Sequence, residues 1–224
     1  MIYITGDTHG VITRFRYKHL TENDFLIVTG DFGFIWDNSK EQEFNLAVIA
    51  NKKFTTLFVD GNHENFELLN KYPVVEYCGG KAHKIAENIY HLMRGEVFTI
   101  DGKKFFAFGG ASSTDRENRI NRISWWQEEL PNYQDVDNAY ANLEKHNWEV
   151  DYVITHTAPE YVVAALLNGE KMFSNRISDP AARMLSVIES MISYKHWYFG
   201  HFHVDIFNVI PHFTCLYGVT QQLD

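Results

Sequence analysis

The sequence predicts an α/β protein built around a mostly parallel sheet. Five short runs are rich in apolar, β-branched and aromatic residues, as strands buried on both faces usually are. Up to about residue 70 these runs alternate with a helical pattern, and such alternation is typical of parallel strands joined by crossover helices. The five runs are Ile2–Thr5, Phe25–Thr29, Thr55–Val59, Tyr152–Thr155 and His196–Phe199.

The other elements follow from local patterns. Residues 39–51 place acidic residues before apolar ones and predict the first helix. Four β-like pieces follow, at 74–77, 88–92, 97–100 and 104–108, and the Asp101-Gly102 turn predicts a hairpin between the last two. These pieces form either a second sheet or antiparallel strands added to the first.

The second half begins with an irregular segment at residues 111–134. Helical patterns return at 136–147 and 179–194, where Asp179-Pro180 is a good helix start because Asp suits the N-cap and Pro the first turn. Strand-like runs at 204–209 and 213–219 follow.

Composition limits the function classes. The chain has 224 residues, of which 45% are hydrophobic, enough for one well-buried core, so we expect one domain over residues 1–224. A net charge of -9 disfavours binding to extended nucleic acid, which depends on clustered Lys and Arg.

Cys78 and Cys215 lack CxxC spacing and predict free thiols. No signal-like or membrane-length apolar run is present, so we expect a cytoplasmic protein that does not associate with membranes.

Each of the five predicted strands ends at a glycine or at a polar residue of a type that binds metals. Ligands of layered α/β proteins bind outside the carboxyl ends of the strands, where separate loops converge. We therefore expect one centre built from five segments. They are Asp7-Thr8-His9-Gly10, Gly30-Asp31, Gly61-Asn62-His63-Glu64, Thr155-His156-Thr157-Ala158-Pro159 and Gly200-His201-Phe202-His203.

Seven side chains of these segments supply two carboxylates, one amide oxygen and four imidazoles. They are Asp7, His9, Asp31, Asn62, His156, His201 and His203. The set is too large for one tetrahedral zinc ion but suits two ions that share a bridging carboxylate. Mixed nitrogen and oxygen ligands favour Mn, Fe, Zn, Co or Ni over Ca or Mg. Two divalent ions would outweigh the two aspartates, so we expect an anionic substrate, and a phosphoryl group fits best.

The order Asp-x-His, Gly-Asp, Gly-Asn-His-Glu, a later His and Gly-His-x-His, over residues 7–203, resembles the calcineurin-like metallophosphoesterases. The resemblance implies a four-layer α/β/β/α sandwich with a mixed two-sheet core and a dinuclear site at the carboxyl ends of the strands. It implies two divalent transition-metal ions, with Mn favoured, one held by Asp7, His9 and His203. The other ion would be held by Asn62, His156 and His201. Asp31 would bridge the two ions, and His63 would protonate the leaving oxygen.

Two departures from the family pattern concern the substrate. Many members continue Gly-Asp-x-x-Asp, but here Phe34 stands at the place of the second Asp. In Ser/Thr protein phosphatases that Asp orients the catalytic His, so Asp37 or Asp60 could replace it as the partner of His63. Asp60 also stands before Gly61, where protein phosphatases carry Arg. Both differences weaken a protein-phosphatase interpretation.

Three arginines of the irregular segment are candidates for a phosphate clamp, because guanidinium matches phosphate oxygens bidentately, or form a solvated face. They are Arg116, Arg119 and Arg122. For Trp125 and Trp126 core packing is favoured over stacking on a base. Glu128 and Glu129 are predicted to form a solvated helix end.

The function predicted is metal-dependent hydrolysis of a phosphoester by a metal-bridging hydroxide. The substrate expected is a phosphorylated small molecule or nucleotide, as a phosphomonoester or a phosphodiester. The alternatives are a Ser/Thr-type protein phosphatase and a non-catalytic metal-binding scaffold of the same fold. Scaffolds usually lose ligands or the acid, whereas this chain keeps all seven candidate ligands and His63, which favours catalysis.

Overall fold

The computed structural model of the chain describes residues 1–167 and 179–223. Its strands, numbered along the chain, form one seven-stranded and one six-stranded sheet. The first sheet has the strand order β13-β1-β2-β3-β6-β5-β4. Its strands are β1 (Ile2–Thr5), β2 (Phe25–Val28), β3 (Thr55–Phe58), β4 (Val74–Tyr77), β5 (Gly80–Ala86), β6 (Ile89–Leu92) and β13 (Thr220–Leu223). Strands β1, β2, β3 and β6 are parallel, and the others pair antiparallel.

The second sheet has the order β11-β12-β10-β9-β8-β7. Its strands are β7 (Glu96–Ile100), β8 (Lys103–Phe108), β9 (Tyr152–Thr155), β10 (His196–Phe199), β11 (Ile206–Ile210) and β12 (Phe213–Cys215). The four central strands are parallel, and the edge strands β7 and β11 are antiparallel. The sequence left two possibilities for residues 74–108, a second sheet or antiparallel strands added to the first, and each holds for a part of them. Strands β4 to β6 extend the first sheet, and the hairpin of β7 and β8 forms one edge of the second.

Five α-helices lie in the described part of the chain: α1 (Lys40–Ala50), α2 (Phe66–Leu69), α3 (Tyr133–Lys145), α4 (Glu160–Leu166) and α5 (Pro180–Glu189). Helix α5 begins as predicted, with the Asp179 side chain accepting a hydrogen bond from the Ala181 N–H and Pro180 at the first position. Helix α3 begins three residues earlier than predicted, because Asn132 and Asp135 form a capping box there. Up to Asn132 the helices of the irregular segment are short 3-10 helices, at Arg116–Asn118 and Gln127–Glu129.

Three buried clusters divide the molecule into four layers. Ile27 and Leu57 of the first sheet meet Phe98 and Phe105 of the second in the central cluster. Their neighbours along the strands face outward, as the two-residue period of a strand requires. On the outer face of the first sheet, Leu26 and Phe58 pack with Ile49 of α1. On the outer face of the second, Phe106 and Trp197 pack with Leu143 of α3 and Leu185 of α5. The α/β/β/α architecture is confirmed.

The layers place the carboxyl ends of five parallel strands along one rim. Strands β1, β2 and β3 lie side by side in the first sheet, and β9 and β10 are neighbours in the second. The loops that follow these five strands carry the polar segments predicted to form the site. No helix in the described ranges is long and apolar enough to cross a membrane. Cys78 and Cys215 are both free thiols.

Candidate metal centre

Asp7, His9, Asp31 and His203 come together from the loops after β1, β2 and β10. One potential ligand atom from each residue lies within 4.8 Å of all the others. The His9 and His203 Nε2 atoms are 2.9 Å apart. The His203 Nε2 lies 3.3 Å from the Asp7 Oδ2, and the His9 Nε2 lies 3.6 Å from the Asp31 Oδ2. This Asp/His cluster could hold a metal ion.

A second group meets the first at Asp31. The His156 Nε2 lies 3.0 Å from the Asn62 Oδ1 and 3.4 Å from the Asp31 Oδ1. The ring of His201 stands 5.0 Å from the ring of His156, centroid to centroid. Asp31 thus has one carboxylate oxygen in each group. The set of imidazole nitrogens, carboxylate oxygens and one amide oxygen fits transition-metal ions by its donor chemistry.

The backbone is left-handed at four of the seven candidate ligands. The φ angles are 45° at His9, 47° at Asp31, 69° at His201 and 54° at His203. Such angles are uncommon outside glycine and concentrate at functional sites. In a regular strand His201 and His203 would share one face, yet here the chain has already left β10 at Phe199 and turns at both residues. These turns bring His203 to Asp7.

Glycines next to the candidate ligands permit the close approach of neighbouring loops. A Cβ atom at Gly61 would lie 2.0 Å from the Asp31 Oδ1, and one at Gly200 would lie 2.1 Å from the Asp7 Oδ1. Neither distance is compatible with a side chain. The glycines of the motifs are therefore a packing requirement of the site.

Burial shapes the electrostatics of the cluster. Burial raises the pKa of Asp7 to about 7, and the neighbouring Asp31 charge acts in the same direction. Burial also lowers the pKa of His9 to about 4, which favours the neutral form of its ring. For His156 burial disfavours the charged ring, yet the carboxylates of Asp31 and Asp7 raise its pKa to about 10. A divalent ion between these groups would reverse that direction, because it competes with the proton for the same nitrogen.

Hydrogen bonds from outside the cluster orient its members. The His156 Nδ1–H donates to the Thr29 carbonyl at 2.8 Å, which directs Nε2 into the site. Asp7 accepts from the His201 N–H at 3.0 Å, and Asp31 accepts from the His63 N–H at 2.7 Å. The loops after different strands are thus joined through the carboxylates themselves.

Glu129 departs from its predicted position on a solvated helix end. It is 1% exposed, whereas Glu128 is exposed as predicted. Its Oε1 accepts from the Ser113 N–H at 2.9 Å, and its Oε2 accepts from the Ser113 hydroxyl at 2.6 Å. The Asn62 Nδ2 donates to that same hydroxyl at 3.2 Å. The prediction was wrong because Ser113, which lies 16 residues away in sequence, satisfies the buried carboxylate.

Among the three candidate arginines, Arg119 lies against His63. One terminal nitrogen of Arg119 stands 2.9 Å from the His63 Nδ1 and 2.8 Å from its Nε2. The Arg119 Nε donates to the Asp115 Oδ1 at 2.7 Å, and another nitrogen donates to the Ser124 carbonyl at 3.1 Å. Arg116 instead stacks on the ring of Trp125, 4.1 Å from its centroid, and Arg122 is exposed. Trp125 and Trp126 are buried, which confirms core packing.

The two carboxylates considered as partners of His63 lie in different surroundings. Asp60 is buried and accepts from the Arg94 Nε at 2.9 Å and from the His91 Nε2 at 3.1 Å. Its two oxygens are committed to these partners and not to His63. Asp37 is exposed and accepts from the Ser39 N–H. At the place of the family's second Asp, Phe34 is 2% exposed and packs among Phe15 and Phe32.

Glu64 is a site residue that the sequence reasoning did not single out. It is buried, and its Oε1 accepts from the Phe32 N–H at 2.7 Å, which ties the loop after β3 to the loop after β2. Burial, together with the charge of Asp31, raises the pKa of Glu64 well above its usual range. The signal was present, since Glu64 closes the Gly-Asn-His-Glu segment.

Residues 1–205 match the family described as calcineurin-like phosphoesterase. The chain belongs to this family. The match covers the loops after all five strands, which carry the donor cluster, that is, the seven candidate ligands named above.

Two solved structures resemble this phosphoesterase. A candidate 5′-nucleotidase from Staphylococcus aureus, solved with α-ketoglutarate, is 15% identical with a TM-score of 0.49; the match covers 96% of this chain and 48% of that one. The phosphopantetheinyl hydrolase of Mycobacterium tuberculosis is 14% identical with a TM-score of 0.49, over 96% of this chain and 89% of that one. The chain thus spans about half the length of the first. No curated protein matches the sequence.

His63 of this phosphoesterase lines two adjoining cavities. The smaller, about 90 Å³, is also bordered by Asp31, Asn62 and His201. The larger, about 360 Å³, is also lined by His9 and Trp36. A group bound at the donor cluster would therefore have His63 beside it and open space beyond.

Proposed function

We propose that this phosphoesterase hydrolyses a phosphorylated small molecule or a nucleotide-like phosphoester with two divalent transition-metal ions. Manganese is the first candidate, and the mixed nitrogen and oxygen donors also suit Fe, Zn, Co or Ni. The observation that carries the proposal is the position of Asp31, whose two carboxylate oxygens face two different groups of ligands. A carboxylate so placed is suited to join two ions.

Each of the two groups of side chains described above is proposed to hold one ion. One ion would be held by Asp7, His9 and His203. The other would be held by Asn62, His156 and His201. When bound, the ions would supply an activated water near neutral pH and would neutralise charge on the phosphoryl oxygens. Asp31 would contribute one oxygen to each ion.

The remaining chemistry is proposed for His63 and Arg119. In this proposal His63 gives a proton to the leaving oxygen, and its position at the border of the donor cluster and the larger cavity supports that role. Arg119 is held by Asp115 and by the Ser124 carbonyl, and its guanidinium is suited to bind a phosphoryl oxygen beside His63. Arg116 and Arg122 are given no role at the phosphate.

Metal stoichiometry tests the centre. Protein stripped with a chelator and loaded with Mn²⁺ should approach two ions per chain, and Asp31→Asn should weaken both sites. Hydrolysis of a chromogenic aryl phosphoester should require the metal and disappear on chelation. A stoichiometry of one with full activity would rule out the bridging role of Asp31. Unchanged activity in metal-free protein would refute the metal-dependent mechanism.

The role of His63 is tested by the leaving group. A general acid typically contributes roughly 10²- to 10⁴-fold and matters most where the leaving oxygen is a poor one. His63→Asn should therefore keep its metals, lose most activity on alkyl phosphoesters and lose less on activated aryl esters. His201→Asn should lose metal and activity together. Equal losses of His63→Asn on both ester types would show that His63 positions the substrate instead.

A cytoplasmic location is part of the proposal. The free thiols of Cys78 and Cys215 support it, because a reducing compartment keeps cysteines in this state.

A further inference from the structure

The buried pair of Ser113 and Glu129 touches the centre at one residue, Asn62. Ser113 is 8% exposed and Glu129 is 1% exposed, and Glu129 ends the short 3-10 helix Gln127–Glu129. The tryptophans before that helix are buried, and Trp126 meets Trp36 edge to face with ring centroids 5.4 Å apart. The carboxylate is therefore held in place by the packing of its own loop.

Hydrogen bonds run from Glu129 through Ser113 to Asn62, and the direction of each one follows from the donors available. The Ser113 hydroxyl has one hydrogen, and its 2.6 Å contact with the Glu129 carboxylate has the length of a charge-assisted bond. With that hydrogen committed, the Ser113 oxygen can only accept from Asn62. The Asn62 group at 3.2 Å must then be its NH₂, and the amide oxygen faces the His156 Nε2 at 3.0 Å.

Orientation matters because the two ends of an amide differ in metal binding. The Asn62 oxygen offers lone pairs to a cation, whereas its NH₂ offers only hydrogens. A half-turn of the amide would change few packing contacts but would remove one oxygen donor from the second group. A carboxylate that fixes the hydroxyl, and through it the amide, prevents that half-turn.

We propose that Ser113 and Glu129 are positioning residues that hold the amide oxygen of Asn62 toward the second metal ion. The proposal rests on the dinuclear centre proposed above. It concerns the affinity for one ion of the pair, because Asn62 belongs to one group only. Neither Ser113 nor Glu129 would touch an ion or the substrate.

Glu129→Gln provides the sharpest test, since it keeps the size of the side chain. A Gln has one accepting oxygen, but Ser113 presents two donors, its N–H and its hydroxyl. The Gln NH₂ would donate to the Ser113 oxygen and free the hydroxyl hydrogen to point at Asn62. That hydrogen would then favour the amide in its reversed orientation.

Titration calorimetry of stripped protein with Mn²⁺ alone measures the effect. Glu129→Gln and Ser113→Ala should each weaken one of two binding events by roughly 10- to 100-fold and leave the other within threefold. Ser112→Ala is the matched control, because the neighbouring hydroxyl bonds Asp179 at 3.0 Å and not Asn62. It should bind both ions like the unaltered protein. Thermal melts confirm that each variant is folded.

Asn62→Asp separates positioning from a structural role of the loop. An Asp has oxygen at both ends, so its orientation is irrelevant to the ion, and Glu129→Gln should cost less than threefold in that background. An undiminished loss there, an equal loss in Ser112→Ala, or full affinity in both test variants would overturn the inference. If the unaltered protein binds no second ion, the proposed centre fails instead.

Discussion

Asp60→Asn should destabilise the protein while leaving its dependence on the leaving group unchanged. Asp60 directly precedes the Gly61-Asn62-His63-Glu64 segment, yet its carboxylate is bound by Arg94 and His91. Its side chain is 2% exposed, and that of Arg94 is 10% exposed. Although burial opposes ionisation, the Arg94 guanidinium holds the pKa of Asp60 well below its usual range. The substitution would leave a buried guanidinium without its main counter-charge.

The magnitude follows from the partners that remain. Removing one member of a buried ion pair costs about 3–5 kcal/mol. Arg94 would keep Asp135 at 3.4 Å and the Glu128 carbonyl at 2.8 Å, so a somewhat smaller loss than this range is expected. We expect a loss of about 2–4 kcal/mol in the free energy of unfolding. For a chain of this size that loss lowers the melting temperature by roughly 4–16 °C.

Two measurements on the same variant test the prediction: a thermal melt and the ratio of alkyl to aryl phosphoester hydrolysis. The control is Glu67→Gln, which removes an exposed pair with Lys71 and should shift melting by less than about 2 °C. The ratio for Asp60→Asn should equal that of the unaltered protein. An unchanged melting temperature with the activity profile of His63→Asn would refute the reasoning and identify Asp60 as the residue that orients His63.

Two further substitutions test packing. Gly61→Ala should abolish Mn²⁺ binding, because the added Cβ would lie 2.0 Å from the Asp31 Oδ1, whereas Gly218→Ala meets only a side-chain oxygen at 3.3 Å and should bind normally in the same titration. Phe98→Ala should cost about 3–5 kcal/mol in denaturant unfolding, because the ring is fully buried between the two sheets; a loss below about 1 kcal/mol would contradict that placement.

Parallel strands of this fold could be predicted from the sequence because their signal is local. The apolar runs before Asp7, Asp31 and His156 need no distant information, and each strand begins where predicted. Strand β5 carries Lys81, His83 and Lys84 among mostly small residues and has no such signal. It is extended because β4 and β6 hydrogen-bond it on both sides. Strand β13 is also polar in sequence, and it is extended because it pairs with β1.

The candidate ligands could be predicted, but the residues that support them could not. Each ligand follows a strand, whereas Ser113 and Glu129 lie in a segment without periodic pattern. An acidic residue in such a segment is usually exposed, and the two hydrogen bonds from Ser113 help to make burial of Glu129 tolerable. Arg116 and Arg119 are likewise equivalent in sequence, and only the fold places Arg119 at His63.

Metal binding should stabilise the whole fold, because the donor cluster joins the two sheets. Asp31 follows a strand of the first sheet and His156 a strand of the second, and their side chains approach to 3.4 Å. An ion held by both exists only when the sheets are packed, so it binds the folded state alone. At a free Mn²⁺ concentration of about 100 times the dissociation constant, one ion contributes about 2.7 kcal/mol. The melting temperature of stripped protein should then rise by roughly 5–11 °C on Mn²⁺ addition. His201→Asn should lose much of this gain, and Mg²⁺ should give less because it prefers oxygen ligands. A melting temperature that does not respond to Mn²⁺ at concentrations that restore activity would contradict a centre shared between the sheets.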